Sequence, residues 1–597
     1  MISRPGVWCL LLCLLLYGLT SSGRLGTWDA DLYYAVTERL VTAGRLDVPE
    51  ELVIGHPEWR GRGGRFYAPF DLGQSLANVP FYLIGRGAAR VLSSSAREPQ
   101  ARRQTIEYLV PRGVVAMSNA LWMALAVAAV GGIAGALGWG RRDQAAAMLL
   151  TGLATMAWPY ATVGFNQALA TLGQTAALLG AVRWARRRRC ADAWLTGGGM
   201  ALGLLARLNT VLALPGLLIV ALGNGRSDRS SLNGERTSRP AGSPPARGVS
   251  PLCNQIRGGL ATLSGFIVPV IPALVLAGLH NWIRFESVFC GGYHGDANTA
   301  LSLANLPRNF YLLTLSPAKG IVWYSPIVVL AGFGAWRARR QAWVQGAAVV
   351  AAAYLVFFSL MNYGHSGVHS WGPRFLVPVM PLVGLLAVEG WRSAGADRRR
   401  GARVLAGALV ALSVFIQVLA VSSDQSERVA AMEERWRQTS RFIAADSSPV
   451  TASRGTAAAG DYYTASWTRP SLSPISDRAE VFVHKLARGQ GLGLAAGPTV
   501  FFRRQHPRAL FYPSEAEMGR VKPIPPRHKT LILRYRWCFD FWWCYATAIG
   551  LWPRWMGVAV PVLAAVALGI ILLGLRMAVV RKDRSAPLRS CATPRIP

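Results

Sequence analysis

The stretch GRRDQAAAMLLTGLATMAWPYATVGFNQALATLGQTAALLGAVRWARRRR, residues 140–189, decides the fold class of this chain. It holds two apolar segments, near residues 145–163 and 166–183, between two arginine-rich clusters. Apolar segments of about 18 residues or more with few charges predict membrane-spanning helices. Two spans return the chain to the side from which it started, and arginine-rich loops concentrate on the cytoplasmic side. The stretch therefore predicts a helical hairpin whose two ends lie in the cytoplasm.

The composition of the whole chain extends this prediction. Of the 597 residues, 52% are hydrophobic and only 16% are charged, whereas about 25% charged residues are usual in soluble domains. The net charge of +34 would suggest a nucleic-acid partner in a soluble protein, but here the arginines lie beside apolar segments. We therefore expect an all-α polytopic membrane protein that lies in the lipid bilayer and binds no nucleic acid.

The same alternation of apolar segments and basic loops recurs along the chain and predicts about twelve transmembrane helices. An interrupted apolar stretch between Arg189 and Arg226 is basic at both ends, so it predicts a hairpin of two short helices. The other predicted spans lie near residues 6–22, 113–138, 258–280, 320–336, 343–361, 374–391, 403–422 and 557–580.

This topology places the arginine-rich loops and both termini in the cytoplasm. A further span at residues 69–85 would reverse the side of everything that follows, so this segment predicts an interfacial helix instead. The first apolar segment also has the basic start and small final residues of a cleavable signal peptide. The many spans that follow favour an uncleaved first span.

These assignments divide the chain into regions. They are a first span (1–22), an external loop with interfacial helices (23–112), a transmembrane bundle (113–422) that contains an arginine-rich cytoplasmic linker (223–257), an extracytoplasmic segment (423–556), a last span (557–580) and a cytoplasmic tail (581–597). A functional site is expected in the external regions or in the cavities beside them.

The first external loop opens with TWDADLYYAVTERLVTAG, residues 27–44. Apolar residues recur at helical spacing from Leu32 to Leu40, which predicts an amphipathic helix at the outer surface. Asp29 and Asp31 stand at the start of this helix, where a carboxylate complements the helix dipole and the free N–H groups. Each carboxylate is therefore either a functional acid or a helix cap.

This opening resembles the first external loop of the C-type (GT-C fold) membrane glycosyltransferases, which use polyprenyl-phosphate sugars and include relatives of the protein O-mannosyltransferases and the lipid A aminoarabinose transferase. In that family an acidic motif, followed by an aromatic residue and a helix, opens this loop. Further segments resemble the family in their order and spacing over residues 1–392. They are GRFYAPFDLGQSLANVPFYLIG, WPYATVGFNQALATL, GLLARLNTVLALPGLL, HNWIRFESVFCGGY, LTLSPAKGIVWYSP and SWGPRFLVPVMPLV.

The resemblance implies transfer of a sugar, with inversion, from a polyprenyl-phosphate donor to a glycan, lipid or protein acceptor outside the cytoplasm, at the bacterial inner membrane. Asp29 matches the family's catalytic carboxylate. Many relatives have Asp-Glu here, whereas this chain has Ala30 and then Asp31. An acidic residue frequent between the third and fourth spans is replaced by Asn166 and Gln167. These departures leave open both a catalytic role for Asp31 and the need for a divalent metal.

Sugar transfer from a lipid phosphate requires a base for the acceptor hydroxyl and cations for the departing phosphate. An external carboxylate such as Asp29 supplies the first requirement. Arg374 in WGPRF and Lys319 in SPAKG fall at the predicted outer ends of spans and are the candidates for the second. The alternative for each cation is a side chain that snorkels to the membrane interface.

Three further residues are predicted to bind substrate. Glu58 supplies a second acidic group, Tyr67 either stacks on a sugar or anchors the interface, and His369 offers hydrogen bonds to acceptor or phosphate. His365 precedes His369 by four positions, which raises metal binding as an alternative. Arg207, in the short hairpin, would be costly in hydrocarbon and is expected to face a cavity or the outer surface.

Two other classes of protein fit parts of this pattern. A membrane transporter would show paired inverted repeats and ionisable residues near the middle of its spans, whereas most charges here lie in loops. A glycan ligase or polymerase of the O-antigen-ligase type would share the external arginines without needing an acidic helix start after the first span. A non-catalytic member of the resembled family is a third alternative because of Ala30.

Overall fold

The computed structural model describes most of the predicted membrane bundle. The described residues are 4–53, 56–94, 100–223, 264–293, 299–364, 370–396, 400–423, 467–470, 473–487, 539–548 and 555–580. Within these ranges the ordered elements are helices, joined by turns and by isolated β-bridges. Most of the predicted linker, much of the extracytoplasmic segment and the predicted tail lie outside the described residues. The described part confirms the prediction of an all-helical chain.

The helices are numbered in chain order. The α-helices are α1 Arg4–Thr20, α2 Trp28–Ala43, α3 Gly73–Ser93, α4 Gln100–Ala116, α5 Ser118–Ala136, α6 Arg141–Leu153, α7 Ala157–Ala161, α8 Gln167–Arg187, α9 Cys190–Ala206, α10 Leu214–Gly223, α11 Val270–Phe285, α12 Leu306–Thr314, α13 Ile321–Tyr324, α14 Val328–Arg337, α15 Ala342–Leu360, α16 Met380–Ala396, α17 Arg400–Ser422, α18 Pro474–Ala487, α19 Trp542–Ala548 and α20 Met556–Val580. Short 3₁₀ helices are Glu50–Leu52, Pro57–Trp59, Arg62–Gly64, Leu208–Ala213, Leu303–Asn305 and Arg374–Val379.

Several helical segments are long and apolar enough to cross a membrane. In the part of the chain that the structure describes there are six: Ile106–Ala136, Ser264–Phe285, Ala342–Leu360, Arg374–Ala394, Arg400–Ser422 and Met556–Val579. Shorter apolar helices are Pro5–Thr20, Leu208–Gly223 and Val328–Arg337. The protein is therefore a multi-pass membrane protein, and the total of about twelve spans stays a prediction.

Two of the predicted spans are each divided into two helices. The segment predicted at 320–336 forms α13 and α14, which are separated at Pro326. Proline has no N–H to continue a helix and disfavours helical geometry in the residue before it, and Ser325 accordingly has φ −147° and ψ 72°. The segment predicted at 145–163 forms α6 and α7, and the Thr155 hydroxyl between them accepts a hydrogen bond from the N–H of Ala157.

The helix α3 contains most of the segment predicted to lie at the membrane interface. It is long enough to cross a membrane, at 21 residues, but it is not among the described helices that are also apolar enough to do so. Leu83 and Ile84 on α3 are 53% and 62% exposed, and Arg86 and Arg90 lie in its second half. Apolar and basic residues together suit a helix in the interface, where apolar side chains enter the lipid and arginines remain near the headgroups.

Four loops predicted to be cytoplasmic meet at one end of the bundle, here called the basic end. Arg392 lies 3.7 Å from the Asp143 carboxylate and stacks over the Trp139 ring. Trp139 packs edge-on against Trp343, and Arg186 donates a hydrogen bond to the carbonyl of Leu137. Loops assigned to the same side of the membrane from their arginines are therefore neighbours in the fold.

Two described parts of the predicted extracytoplasmic segment pack on the opposite end, here called the site end. The carbonyl of Trp467 accepts hydrogen bonds from the hydroxyls of Tyr311 and Ser316. Asp540 forms an ion pair of 2.6 Å with Arg24, which follows the first helix. The C-terminal segment is thus fastened to the loops that follow the membrane helices.

Glycines allow the backbones of helices α8 and α9 to come into direct contact. A Cβ at Gly173 would lie 2.4 Å from the nitrogen of Gly203, and a Cβ at Gly199 would lie 2.4 Å from the nitrogen of Ala177. Small residues at helix contacts in membranes allow close van der Waals packing. This packing fixes the end of α9 and hence the position of Arg207, the residue that follows it.

A pair of neighbouring glycine substitutions tests this interface. We expect Gly199→Ala to lower the thermal unfolding temperature in detergent, because its added methyl group overlaps α8 and overpacking costs about 1–3 kcal/mol. Gly198→Ala is the matched control, since a Cβ there has no neighbour within 4 Å in the part of the chain that the structure describes, and alanine favours a helix over glycine. Equal unfolding temperatures for the two variants would contradict the tight contact.

Reporter fusions test the predicted sides of the membrane. With one crossing before α3 and four before the end of α8, alkaline phosphatase fused after Ser94 should be active outside the cytoplasm and inactive after Arg188. Green fluorescent protein at the same two positions should give the complementary pattern. Activity at Arg188 together with inactivity at Ser94 would mean that the N terminus lies outside, against the positive-inside assignment.

Candidate active site

The helix that carries Asp29 has a defined start and end. The Thr27 hydroxyl caps its first turn by accepting a hydrogen bond of 3.2 Å from the N–H of Ala30, and Gly44 ends it with a positive φ of 63°. Leu32 packs in an apolar cluster with residues of the following loop, including Trp59. The structure has a helix at the predicted place, but every residue from Leu32 to Thr37 is buried, so this part of the helix has no exposed polar face. The cap of the helix is Thr27 rather than either aspartate.

Asp29 forms an ion pair with Arg374 across 345 residues of sequence. Nη1 of Arg374 donates to Oδ2 of Asp29 at 3.1 Å, and the two side chains are 19% and 20% exposed respectively. Arg374 begins the 3₁₀ turn that leads into α16. Among the described residues, none donates a hydrogen bond to Oδ1 of Asp29, so that oxygen is available to a substrate.

A second guanidinium, that of Arg207, lies beside this pair. It lies 4.8 Å from the centroid of the Phe375 ring, and the Arg374 guanidinium lies 5.1 Å from the same ring and 4.9 Å from Phe165. No described residue accepts a hydrogen bond from the Arg207 guanidinium, although its backbone N–H bonds the carbonyl of Gly203. Two adjacent like charges with free donors form a site that favours an anion. The sequence had indicated a cavity-facing Arg207 but not its place in the site.

Asp71 is a site residue that the sequence analysis missed. Its Oδ2 accepts a hydrogen bond of 3.1 Å from the N–H of Leu208, next to Arg207. Burial raises the pKa of Asp71, and the Leu208 N–H and the charges of Arg284 and Arg207 oppose that rise. An aspartate inside the apolar run APFDLGQSL was the signal in the sequence, because a charge in such a run needs a partner.

Arg284 holds the loop that leads to Asp71. This arginine is only 2% exposed and donates hydrogen bonds to the carbonyls of Ala68 and Phe70. It also bonds the side-chain oxygen of Asn281. A buried guanidinium requires such partners, so the loop before Asp71 is fixed to the end of α11.

Three aromatic rings lie next to these charges. The rings of Tyr33 and Phe70 are 4.8 Å apart, and those of Phe70 and Tyr293 are 6.3 Å apart. Burial raises the pKa of Tyr33 well above its usual value; Tyr293 and the charges of Asp29 and Asp71 raise it further. The phenols of Tyr33 and Tyr293 therefore stay protonated and can donate hydrogen bonds to a ligand.

Asp31 lies apart from Asp29. Two positions along a helix correspond to a rotation of about 200°, so the two carboxylates leave α2 on different sides. Burial raises the pKa of Asp31 to about 6, and the charge of Arg112 opposes this rise. Arg112 itself stacks over the rings of Tyr34 and Tyr108. Asp29 therefore pairs with Arg374, whereas Asp31 interacts with the charge of Arg112.

Lys319 lies beneath the loop that carries Arg374. Its side chain is completely buried, and its Nζ donates hydrogen bonds to the carbonyl and the hydroxyl of Ser370, at 2.5 and 2.8 Å, and to the carbonyl of Gly372, at 3.3 Å. The candidate for phosphate binding is therefore in contact with the backbone next to Arg374.

The structure does not bring Tyr67 or Glu58 to the Asp29–Arg374 pair through any contact among the described residues. Tyr67 is buried, and its hydroxyl donates to the carbonyl of Arg62 at 3.3 Å. Glu58 is exposed, and a 2.8 Å hydrogen bond from His56 lowers its pKa.

Two predictions remain: a substrate-binding role for His369 and a site for a divalent metal. His369 and the neighbouring His365 lie outside the described residues. Within the described ranges, no three His, Cys, Asp or Glu side chains are grouped so as to hold a metal ion. The described carboxylates Asp29 and Asp71 are instead placed beside arginines.

Comparisons with known proteins give structural matches only. No protein-family model matches the chain, and no curated protein matches its sequence. A crystal structure of ArnT from Cupriavidus metallidurans bound to undecaprenyl phosphate is similar over 82% of this chain and 81% of ArnT, with 14% identity and a TM-score of 0.41.

Two archaeal structures from Archaeoglobus fulgidus also match. An oligosaccharyltransferase complex with Zn and sulfate matches 78% of this chain and 58% of its own, at 13% identity and a TM-score of 0.39. The oligosaccharyltransferase AglB with an inhibitory peptide and a dolichol-phosphate matches 79% and 60%, at 11% identity and a TM-score of 0.38. Structural similarity at TM-scores of 0.41 and below is too weak to support a function. The functional proposal therefore rests on the geometry of the site.

The raised pKa of Asp31 predicts a pH-dependent effect on stability. The folded state holds the proton more tightly than the unfolded state, so the contribution of Asp31 is most favourable at low pH and is lost as the pH rises from about 4 to about 6. We expect Asp31→Asn to raise the unfolding temperature at pH 7.5, by on the order of 2 °C, and to change it little at pH 4.5.

Thermal unfolding of both proteins in the same detergent, at a series of pH values, measures this difference. Asp143→Asn, at the basic end, is the matched control for loss of a carboxylate. A variant that destabilises the protein at pH 7.5 would show that the attraction between Asp31 and the charge of Arg112 outweighs the cost of burial.

Proposed function

We propose that the protein is a membrane glycosyltransferase that transfers a sugar from a polyprenyl-phosphate donor to a hydroxyl acceptor outside the cytoplasm. The observation that carries the proposal is the Asp29–Arg374 pair with Arg207 beside it at the site end. The arrangement combines a carboxylate with two guanidinium groups in one partly enclosed site. The donor class is taken from the resemblance of the sequence motifs to the GT-C family.

The two arginines are the proposed binding site for the donor phosphate. A guanidinium presents its donors in a planar fork that matches phosphate oxygens. The Arg207 guanidinium has no hydrogen-bond acceptor among the described residues, and it lies close enough to Arg374 to be repelled by that like charge. A phosphate between them would relieve this repulsion, and it would gain further stabilisation as its negative charge increases on departure.

Asp29 is the proposed general base. Arg374 holds Oδ2 and thereby leaves Oδ1 directed to an acceptor. As the acceptor oxygen forms its bond to the anomeric carbon, its proton passes to Asp29 and the bond from that carbon to the phosphate oxygen breaks. Attack opposite the departing phosphate inverts the anomeric centre. The electron pair of the broken bond leaves on the lipid phosphate, next to Arg374 and Arg207.

The aromatic rings of Tyr33, Phe70 and Tyr293 are proposed to bind the sugar. An aromatic face suits the C–H surface of a sugar ring, and protonated phenols suit its hydroxyls. Asp71 lies near these rings and can accept hydrogen bonds from the same sugar. Tyr67, Glu58 and His369 are also proposed to bind substrate, as the sequence predicts.

The membrane setting follows from the same arrangement. The donor would enter from the lipid, since its polyprenyl chain stays in the bilayer while the phosphate reaches the site end. With the basic end in the cytoplasm, both termini are cytoplasmic and the site faces outward. The proposed location is the bacterial inner membrane, with the regions bounded as in the sequence analysis.

A transporter is less well supported. Its substrate site would be expected near the middle of the membrane, at the interface of repeated halves. The charged groups grouped here, Asp29, Asp71, Arg207 and Arg374, instead lie in loops or at helix ends. Carboxylate and arginines at one end of the helices suit a reaction at the membrane surface.

Transfer of label from a panel of polyprenyl-phosphate sugars, with purified protein and acceptor membranes, tests the proposal. Asp29→Asn should lower kcat by about 100-fold or more, the usual range for loss of a general base. Asp143→Asn is the matched control. If Asp31→Asn abolishes transfer while Asp29→Asn does not, the base is Asp31; if no donor gives transfer, the proposed function is wrong.

The arginines should affect donor binding differently from Asp29. Arg207→Gln and Arg374→Gln should each raise the KM for the donor about tenfold, because a hydrogen bond to a charged group contributes about 1.5–3 kcal/mol. Arg339→Gln, at the basic end, is the matched control for loss of an arginine. Unchanged KM values in both variants would contradict the proposed phosphate site.

A further inference from the structure

The loop Ser370–Arg374, here called the SWGPR loop, delivers Arg374 to Asp29. The loop precedes α16 in the chain and ends where the 3₁₀ turn Arg374–Val379 begins. Its conformation therefore determines whether the guanidinium of Arg374 reaches the Asp29 carboxylate, 3.1 Å away. Three described contacts fix the backbone of this loop.

The first contact is the buried ammonium of Lys319. An ammonium group has three donors, and here they meet the carbonyl and hydroxyl of Ser370 and the carbonyl of Gly372. Removal of a cation from water is costly unless such acceptors compensate. The buried ammonium is therefore stable only while the loop keeps the conformation that supplies these acceptors.

The second contact is the conformation at Gly372. Its φ is +58°, in the left-handed region, and a Cβ there would lie 2.7 Å from the sulfur of Met156 and 2.8 Å from the ring of Tyr324. Only glycine tolerates both conditions without strain. The backbone carbonyl that Lys319 binds at this position thus belongs to a tightly enclosed turn.

The third contact comes from two tyrosines. The hydroxyl of Tyr160 donates a 2.9 Å hydrogen bond to the carbonyl of Trp371. Tyr324 packs edge-on against the Trp371 ring at 4.8 Å, and its hydroxyl bonds the carbonyl of Ala318, the residue before Lys319. The turn that carries Lys319 and the SWGPR loop are therefore connected as one unit.

We propose that Lys319 is a positioning residue that acts through Arg374: its ammonium holds the SWGPR loop so that Arg374 reaches Asp29 and the donor phosphate. The inference rests on the proposed function for its effect on the donor, but the link between Lys319 and the loop exists without substrate. It differs from direct phosphate binding, in which the ammonium itself would contact the lipid phosphate.

Hydrogen–deuterium exchange without substrate tests the link to the loop. In the full-length protein in detergent, Lys319→Met retains the length of the side chain but leaves the loop oxygens without their donor. We expect amides of the SWGPR loop to exchange at least about tenfold faster, since local opening costs less free energy. Unchanged exchange would overturn the proposal, whatever the enzyme transfers.

Binding of undecaprenyl phosphate to Lys319→Met, Arg374→Gln and the double variant tests the effect on the site. We expect each single variant to bind about tenfold more weakly, and the double variant to bind as weakly as Arg374→Gln alone, because the two act through one group. A double variant weakened by the product of the two single effects would assign Lys319 to the phosphate itself.

Two further variants keep the test decisive. If Lys319→Met does not fold, Ser370→Ala removes one of the acceptors of Nζ and should cause the same changes to a smaller extent; Ser94→Ala, at an exposed helix end, is its control. Wild-type binding by Arg374→Gln would contradict the proposed phosphate site, while faster loop exchange in Lys319→Met would still support the positioning role.

Discussion

The ion pair between Asp29 and Arg374 joins the first loop of the chain to the start of α16, 345 positions later. Partly buried charges of opposite sign stabilise each other, and either one alone would be costly in this environment. The site depends on this pair because it brings the candidate base and the candidate phosphate ligand together. Arg207 and Asp71 then arrive from two further segments, so the site exists only when the bundle is assembled.

Buried cations fix the loops around this pair. Lys319 binds oxygens of the loop before Arg374, and Arg284 binds carbonyls of the loop before Asp71. Arg478, from the C-terminal segment, donates to the carbonyls of Ala420 and Ser423 at the end of α17 and stacks over the Trp371 ring of the SWGPR loop. In loops without helix or sheet bonds, a buried cation can satisfy several carbonyl oxygens at once. The same contacts make each loop sensitive to loss of one side chain.

The arrangement explains why a protein so rich in arginine can hold an acidic site. Arg392 and Arg186 at the basic end contact Asp143 and the carbonyl of Leu137, so the loops assigned to one common side from the sequence do share one end of the bundle. At the other end, Arg207 and Arg374 lie over aromatic rings, where a guanidinium is partly desolvated and gains cation–π attraction. Position in the fold, rather than net charge, decides what an arginine does here.

The sequence by itself determined the membrane class, the helix that carries Asp29 and the candidate Arg374, because hydropathy, helical spacing and charged residues at segment ends are local properties. It also predicted undivided spans where proline and threonine divide the helices. Only the tertiary structure decided that Asp29 pairs with Arg374 whereas Asp31 faces Arg112, that Asp71 belongs to the site, and that Lys319 binds the loop. Such partners come from distant segments, and their contacts are set by how the helices pack.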